Sequence, residues 1–211
     1  QQISKELKKS LSSFDLAKAI NSSDNEAKTR MYLVEPFFEI LRFNRGFDNG
    51  NLVPEYDADF ANLKGKKVDY AILFKGKPEI IIEVKKASSK LTTKNTSQLN
   101  EYFNNTSESK IGILTNGTVF EFYCRNTMSG PNLHPTPFYT FNWENVDGSQ
   151  MEKLAEFYSL SIDVKSIIEK AQESFFLEKF EEAIFKELLK PSKEFIKAIF
   201  AHMDGNKLTE N

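Results

Sequence analysis

Three residues have the types and spacing to do chemistry together: Asp69, Glu83 and Lys85. They sit in the segment 66–86, KKVDYAILFKGKPEIIIEVKK. Strand alternation puts Val68, Tyr70, Ile72 and Phe74 on one face and Asp69, Ala71 and Leu73 on the other. In the next run Ile80, Ile82 and Val84 share a face, while Ile81, Glu83 and Lys85 share the opposite one. The connection Lys75-Gly76-Lys77 is short enough for a tight hairpin. If that hairpin is symmetric about Gly76, Asp69 lies directly across from Glu83, with Cβ atoms about 4.5–5.5 Å apart. A bulge at the turn would shift the pairing by one residue.

Two carboxylates opposed on apolar neighbouring strands repel each other and are costly to bury. A divalent cation held by both removes the repulsion and the burial cost. A hard ion such as Mg²⁺ suits one or two carboxylates, with water and a substrate phosphate completing its shell. Lys85 projects to the same side, where it could hold an attacking water or balance negative charge growing on a phosphate. The plainer alternative is a surface salt-bridge cluster of Glu83, Lys85 and Asp69, worth little on an exposed face.

The elements that must position these residues follow from periodicity. Helical spacing covers 4–20 and about 25–43, the second with Leu33, Phe37, Phe38 and Leu41 inward and Pro36 as a candidate kink. Residues 44–51 read as a loop. Strands are expected at 52–57, 67–74, 79–85, 111–115 and 118–124, with one more candidate at 138–143. A polar helix at about 95–105 lies between the third and fourth. Asn116-Gly117 is a two-residue hairpin signal, and 125–137 is a loop. From 149 onward helices are expected at about 149–159, 163–189 and 191–203, with Pro191 in the first turn of the last. The order points to an α/β sandwich with a mixed sheet and a helical C-terminal segment, divided at 1–145 and 146–211.

Composition narrows the choices. Of 211 residues 40% are hydrophobic, enough for one domain with a helical appendage. No apolar run could span a bilayer, and no charged-then-apolar leader pattern opens the chain. A single Cys124 excludes an internal disulfide, and two separated histidines, His134 and His202, disfavour a histidine metal site or a Ser-His triad. The net charge of −2 hides a gradient. Residues 61–94 carry nine lysines against three acids, whereas 151–190 are net acidic. Local positive charge suits a phosphate-bearing ligand, although lysines also gather at turns and strand edges for solubility.

Asp69 followed by Glu83-Val84-Lys85 at a strand end resembles the D…ExK signature of the PD-(D/E)XK nuclease superfamily, with Val68 in the place of the name's proline. Gln98 and Tyr102, four apart on the next helix, match the QxxxY motif of nuclease domains in type I restriction enzyme R subunits. ILTNG at 113–117 followed by FEFY resembles the strand pair after that helix. NEAKTRMYLVEPFFEIL at 25–41 is similar to the family's E-x-x-[TV]-R-x-x-…-P-x-[LF] helix, which would make Glu26 the helical acid approaching the site. LLKPSKEFIKAIF at 188–200 and GNKLTEN at 205–211 resemble the segment following the domain in stand-alone relatives, and imply a fragment of a longer protein. No GxxxxGK[ST] motif occurs, so a translocating motor would belong to another domain or subunit.

The resemblance implies a restriction-endonuclease-like α/β/α sandwich acting on DNA in the cytoplasm, within host defence and with other subunits or domains of a restriction system. It implies Mg²⁺, with Mn²⁺ as a substitute, held by Asp69 and Glu83. Lys85 would position the water, Glu26 would be a second-tier acid, and Gln98 and Tyr102 an accessory pair. The rivals are an idle nucleic-acid-binding or scaffold module of the same fold, and a nuclease acting on RNA or single-stranded ends. Glu35 and Glu39 compete with Glu26, which also reads as a helix N-terminal acid. Tyr102 reads equally as packing. Cys124 and Trp143 are expected in the core and His134 in solvent.

Overall fold

The computed structural model describes residues 2–45, 51–57, 67–106, 108–125, 130 and 132–202. Lys64, Lys66, most of the 44–51 loop, residues 126–129 and 131 of the 125–137 loop, and GNKLTEN at 205–211 lie outside the described residues. Gln1–Ala171 form one compact unit and Gln172–Asn211 a second.

In the first unit six strands make a mixed sheet in chain order: β1 (Leu52–Tyr56), β2 (Val68–Phe74), β3 (Lys77–Val84), β4 (Ile111–Thr115), β5 (Val119–Cys124) and β6 (Tyr139–Asn142). Neighbours are antiparallel except β3 and β4, which run parallel and are joined over the sheet by the helix Thr93–Asn105 (α5). A parallel pair needs such a crossover. Both faces of β3 are covered, so Ile80, Ile81, Ile82, Glu83 and Val84 are all buried and the strand reads as a continuous apolar run.

The larger core lies on one face. Leu7 and Leu11 of α1 (Gln2–Ser13) and Phe37 and Phe38 of α4 (Glu35–Ile40) pack there on Tyr70, Ile72, Ile80, Ile82, Phe120 and Phe122. Phe37 and Phe120 stack with ring centres 3.8 Å apart. The smaller core, on the other face, joins Leu99, Tyr102 and Phe103 of α5 to Val68, Ile81, Leu114 and Tyr123. Helices therefore cover the sheet on both sides, the α/β arrangement expected from the element order.

Several local features differ from the sequence reading. The helix at 4–20 is two, α1 and α2 (Leu16–Ser22), because Asp15 caps the second by accepting from the Lys18 amide. The helix at 25–43 starts as α3 (Glu26–Thr29), passes through a π-helical segment at Arg30–Val34 and resumes as α4. Pro36 stands in the first turn of α4, directly after the π-helical segment, and the irregularity falls in the turn where its missing N–H and its ring act. His134 is buried rather than solvated: its amide donates to the Cys124 carbonyl and its Nδ1 faces Thr136. Cys124 and Trp143 are core residues, as expected. The helix α6 (Gly148–Ala155) and the start of α7 (Val164–Leu189), grouped with the C-terminal segment on sequence, supply Met151, Leu154, Val164 and Ile167 to the larger core.

In the second unit α7 continues to Leu189 and α8 runs from Lys193 to His202. Pro191 precedes α8 instead of opening it. Ser192 is the cap, its Oγ accepting from the Phe195 amide while its own amide donates to Glu187.

The β4–β5 turn is offset from the one expected. Asn116 pairs with Val119, and its side-chain oxygen accepts from the amides of Thr118 and Val119, leaving Gly117 and Thr118 at the tip. Gly117 has φ +86°, and a Cβ there would lie 2.7 Å from Leu33 Cβ and 3.1 Å from Thr29 Cγ2. The helix leading to the site thus rests directly on this turn. Gly117→Ala should destabilise the protein by about 2–4 kcal/mol, through both the left-handed conformation and the clash. Urea denaturation of the two proteins measures this, and a loss under about 0.5 kcal/mol would mean that the helix is not seated on the turn.

Candidate active site

The β2–β3 turn decides whether the two acids meet. Lys75 and Gly76 both have positive φ, 52° and 79°, which is the two-residue type I′ geometry that suits strand twist. Next to it Phe74 pairs with Lys77 and Leu73 with Pro78, one residue out of the register that brings Asp69 to Glu83. The register then shifts between Ile72 and Leu73, and Ile72↔Ile80, Ala71↔Ile81 and Tyr70↔Ile82 follow. Glu79 is the extra residue on β3. The bulge restores the pairing symmetric about Gly76, so the site half of the hairpin has the predicted register although the turn half does not.

Beyond Tyr70↔Ile82 the ladder stops, and the Asp69 side chain takes over a backbone partner. Its Oδ2 accepts from the Val84 amide at 2.8 Å. Its Oδ1 accepts from Arg30 Nη1 at 3.2 Å. Glu83 is only 4% exposed, and its Oε1 accepts from Lys85 Nζ at 2.6 Å. Lys85 Nζ also donates to Gln98 Oε1 at 3.0 Å, and Gln98 Nε2 donates to Tyr102 Oη at 3.5 Å. Glu83, Lys85, Gln98 and Tyr102 are therefore linked by hydrogen bonds, and Asp69 stands near enough for its charge to act on Glu83 and Lys85. A salt-bridge cluster on an exposed sheet face is excluded by the burial of Glu83.

Glu26 stands at the start of α3, exposed and without a hydrogen bond to that cluster, yet its charge bears on Asp69, Glu83 and Lys85. Glu35 is engaged elsewhere: it accepts from Tyr70 Oη at 2.6 Å and pairs with Arg45 at 2.8 Å. Glu39 is exposed further along α4. Of the three helical acids, Glu26 is the one whose charge is felt at the site.

Arg30 was passed over on sequence, although it lies inside the NEAKTR stretch. Its part in the site comes from the π-helical segment it opens, whose carbonyl–amide pairing runs five residues, Glu35 N–H to Arg30 O. The Thr29 hydroxyl fixes this helix to the strand end by accepting from the Ala87 amide at 3.0 Å. Lys85 is fixed from the other side, where its amide donates to Thr115 O at 2.7 Å.

Burial pushes the Glu83 carboxyl up to about 7, with the charge of Asp69 adding to it and Lys85 pulling the other way. Burial also raises Asp69, against the Val84 amide and Arg30. For Lys85, burial opposes the ammonium, but its bond to Glu83 and the surrounding acids outweigh burial and hold it above its ordinary range. Desolvated acids beside one another are what a functional carboxylate pair looks like.

Among the described residues no group of three or more His, Cys, Asp and Glu side chains is gathered to hold a metal. Asp69 and Glu83 form a pair. A pair still fits Mg²⁺, which takes one or two carboxylates and fills its shell with water and phosphate. The raised Glu83 carboxyl is consistent with that fit, because a cation would offset the charge that burial and Asp69 make costly.

The same electrostatics set a pH dependence for the metal-free protein. Glu83 binds its proton more tightly folded than unfolded, so its contribution to stability is complete below about pH 4.5 and is lost as pH rises through about 7. Glu83→Gln should therefore stabilise the metal-free protein at pH 8, by about 1–3 kcal/mol, with the gain shrinking towards pH 4.5. Thermal melts across that range test this. A gain that grows on acidification would reverse the sign assigned to Glu83.

Comparison with known proteins gives two matches. Residues 33–133 match the family model for the type I restriction enzyme R protein N terminus (HSDR_N). That stretch holds Asp69, Glu83, Lys85, Gln98 and Tyr102, while Glu26 and Arg30 precede it. The solved structure of the type IIG restriction endonuclease BpuSI is similar at 19% identity with a TM-score of 0.43, covering 72% of this chain. This chain spans 17% of the length of that one. No curated protein matches. The stretch that carries these five residues is thus similar to the N terminus of type I restriction enzyme R proteins.

Proposed function

We propose that this domain is a Mg²⁺-dependent endonuclease that hydrolyses DNA phosphodiester bonds. The observation that carries the reading is the buried Glu83, bonded to the Lys85 ammonium, with the half-buried Asp69 close enough for its charge to act on it. Asp69 and Glu83 would hold the ion, with Mn²⁺ able to substitute. When bound, the ion supplies neutralisation of phosphate charge and acidification of water at the site.

The chain's own residues supply the rest. The Val84 amide keeps Asp69 turned to the site, and Gln98 with Tyr102 aims the Lys85 ammonium. Lys85 Nζ offers three donors, of which Glu83 and Gln98 use two. The third is available for the attacking water or a non-bridging phosphate oxygen. Glu26 contributes negative charge at the rim and helps to retain a cation. Burial of Glu83 keeps bulk water from screening these interactions.

The family match supports a DNA substrate and partner subunits or domains of a restriction system, and a cytoplasmic setting belongs to the same proposal. No helix among the described residues is long and apolar enough to cross a membrane. We read 1–145 as the nuclease core with its N-terminal helices and 146–211 as its helical C-terminal segment.

Incubation with supercoiled plasmid, linear duplex and RNA in Mg²⁺ or Mn²⁺ tests the reading. Cleavage of the DNA substrates should fall by at least about 10²-fold in both Asp69→Ala and Lys85→Ala. RNA cleavage alone would replace DNA as the substrate. Absence of both cleavage and calorimetric metal binding would sink the site and leave a binding module.

A further inference from the structure

Resting on the nuclease reading, the geometry points to Arg30 as the site's phosphate-binding residue, held on Asp69 before substrate arrives. The cluster contains two cations and two carboxylates, matched one to one: Lys85 on Glu83 and Arg30 on Asp69. Lys85 is also anchored to Gln98, whereas among the described residues the other acid near Arg30 is Glu55, with Oε1 at 3.8 Å, too long for a hydrogen bond. The Arg30 and Asp69 side chains are each 24% exposed, so solvent and a ligand reach this pair more readily than Lys85 on Glu83, 13% and 5% exposed.

Asp69 Oδ2 is committed to the Val84 amide, which leaves Oδ1 as its freer oxygen, and that is the atom Arg30 occupies. A cation binding Asp69 through Oδ1 would compete with Arg30 for it. The backbone of Arg30 has little freedom to leave, because Thr29 is bonded to Ala87 and the next turn rests on Gly117. The guanidinium, displaced by rotation of its own side chain, therefore stays beside the metal site. Its planar fork of donors matches two non-bridging oxygens of a phosphodiester. The occupant is thus a nucleic-acid phosphate next to the ion held by Asp69 and Glu83.

The test uses the Lys85→Ala chain, so that substrate survives, with Mn²⁺ alone and a short fluorescent duplex as probes. Arg30→Ala should leave calorimetric Mn²⁺ affinity unchanged or tighten it a few-fold, since a competitor for Asp69 is gone. Duplex binding in Mn²⁺, read by anisotropy, should weaken about tenfold. Arg30→Lys should recover part of that loss, and Glu55→Gln should change neither measurement. If Arg30→Ala weakens Mn²⁺ binding, Arg30 merely supports Asp69 and the proposal is overturned. Unchanged duplex affinity in Mn²⁺ overturns it as well. A parent chain that binds no Mn²⁺ fails differently: it removes the nuclease reading, and this inference with it.

Discussion

Glu83 is almost wholly buried beside a second carboxylate, and much of the surrounding structure can be understood as holding that arrangement in place. Apolar burial of the sheet drives folding, yet here it surrounds a group that prefers water. Lys85 offsets part of the cost through a short charge-assisted bond, and the Val84 amide and Arg30 do the same for Asp69. Burial still outweighs these partners, which is why both carboxyls stay above their ordinary range. A site with this residual imbalance has room for one more positive group. That follows from the metal-free protein itself, independently of any relative.

The scaffold restrains each partner from a different element. β3 carries Glu83 and leads into Lys85 just past its end, and it is covered on both faces. The β3–β4 pairing sets the backbone at Lys85 through Thr115, and α5 aims the ammonium through Gln98. The helix running from Glu26 to Ile40 reaches the site only because Gly117 lets it come within van der Waals contact of the β4–β5 turn. The π-helical segment then sets the direction of Arg30. Each restraint comes from an element with its own share of the two cores, so the polar cluster rests on apolar packing rather than on its own weak pairings.

Much of this was legible in the sequence, and the reasons are physical. Strand alternation and bounding turn residues located the six strands to within two residues, because a sheet covered on both sides leaves dense apolar runs. The register of Tyr70↔Ile82, which leads towards Asp69 and Glu83, was legible from the hairpin's symmetry, although it depended on the Glu79 bulge cancelling the offset of a two-residue turn. Alternation cannot reveal such a bulge, since Glu79 reads as an ordinary outward residue. The π-helical form of the segment was illegible for a related reason: periodicity near 3.6 survives one widened turn, and Pro36 marked an irregularity nearby without giving its kind. Burial of His134 depended on a backbone bond to Cys124 that no local pattern encodes.

Arg30 shows what a motif read only for its acid omits. From the sequence its side chain could have pointed to solvent, to the helix's own acids or to the sheet, and the widened turn selects the sheet. Asp69 then carries an arginine on one oxygen and a backbone amide on the other, and these offset part of the burial that still raises its carboxyl. Glu83 is less well served: its lysine is shared with Gln98, and its carboxyl is held up to about 7. The two acids are therefore unequal before any ion or substrate arrives. In the proposed reading a cation would gain most from Glu83 and would compete with Arg30 for Asp69. Metal loading and release of the guanidinium would then be one electrostatic exchange, at a residue that opens the widened helical turn.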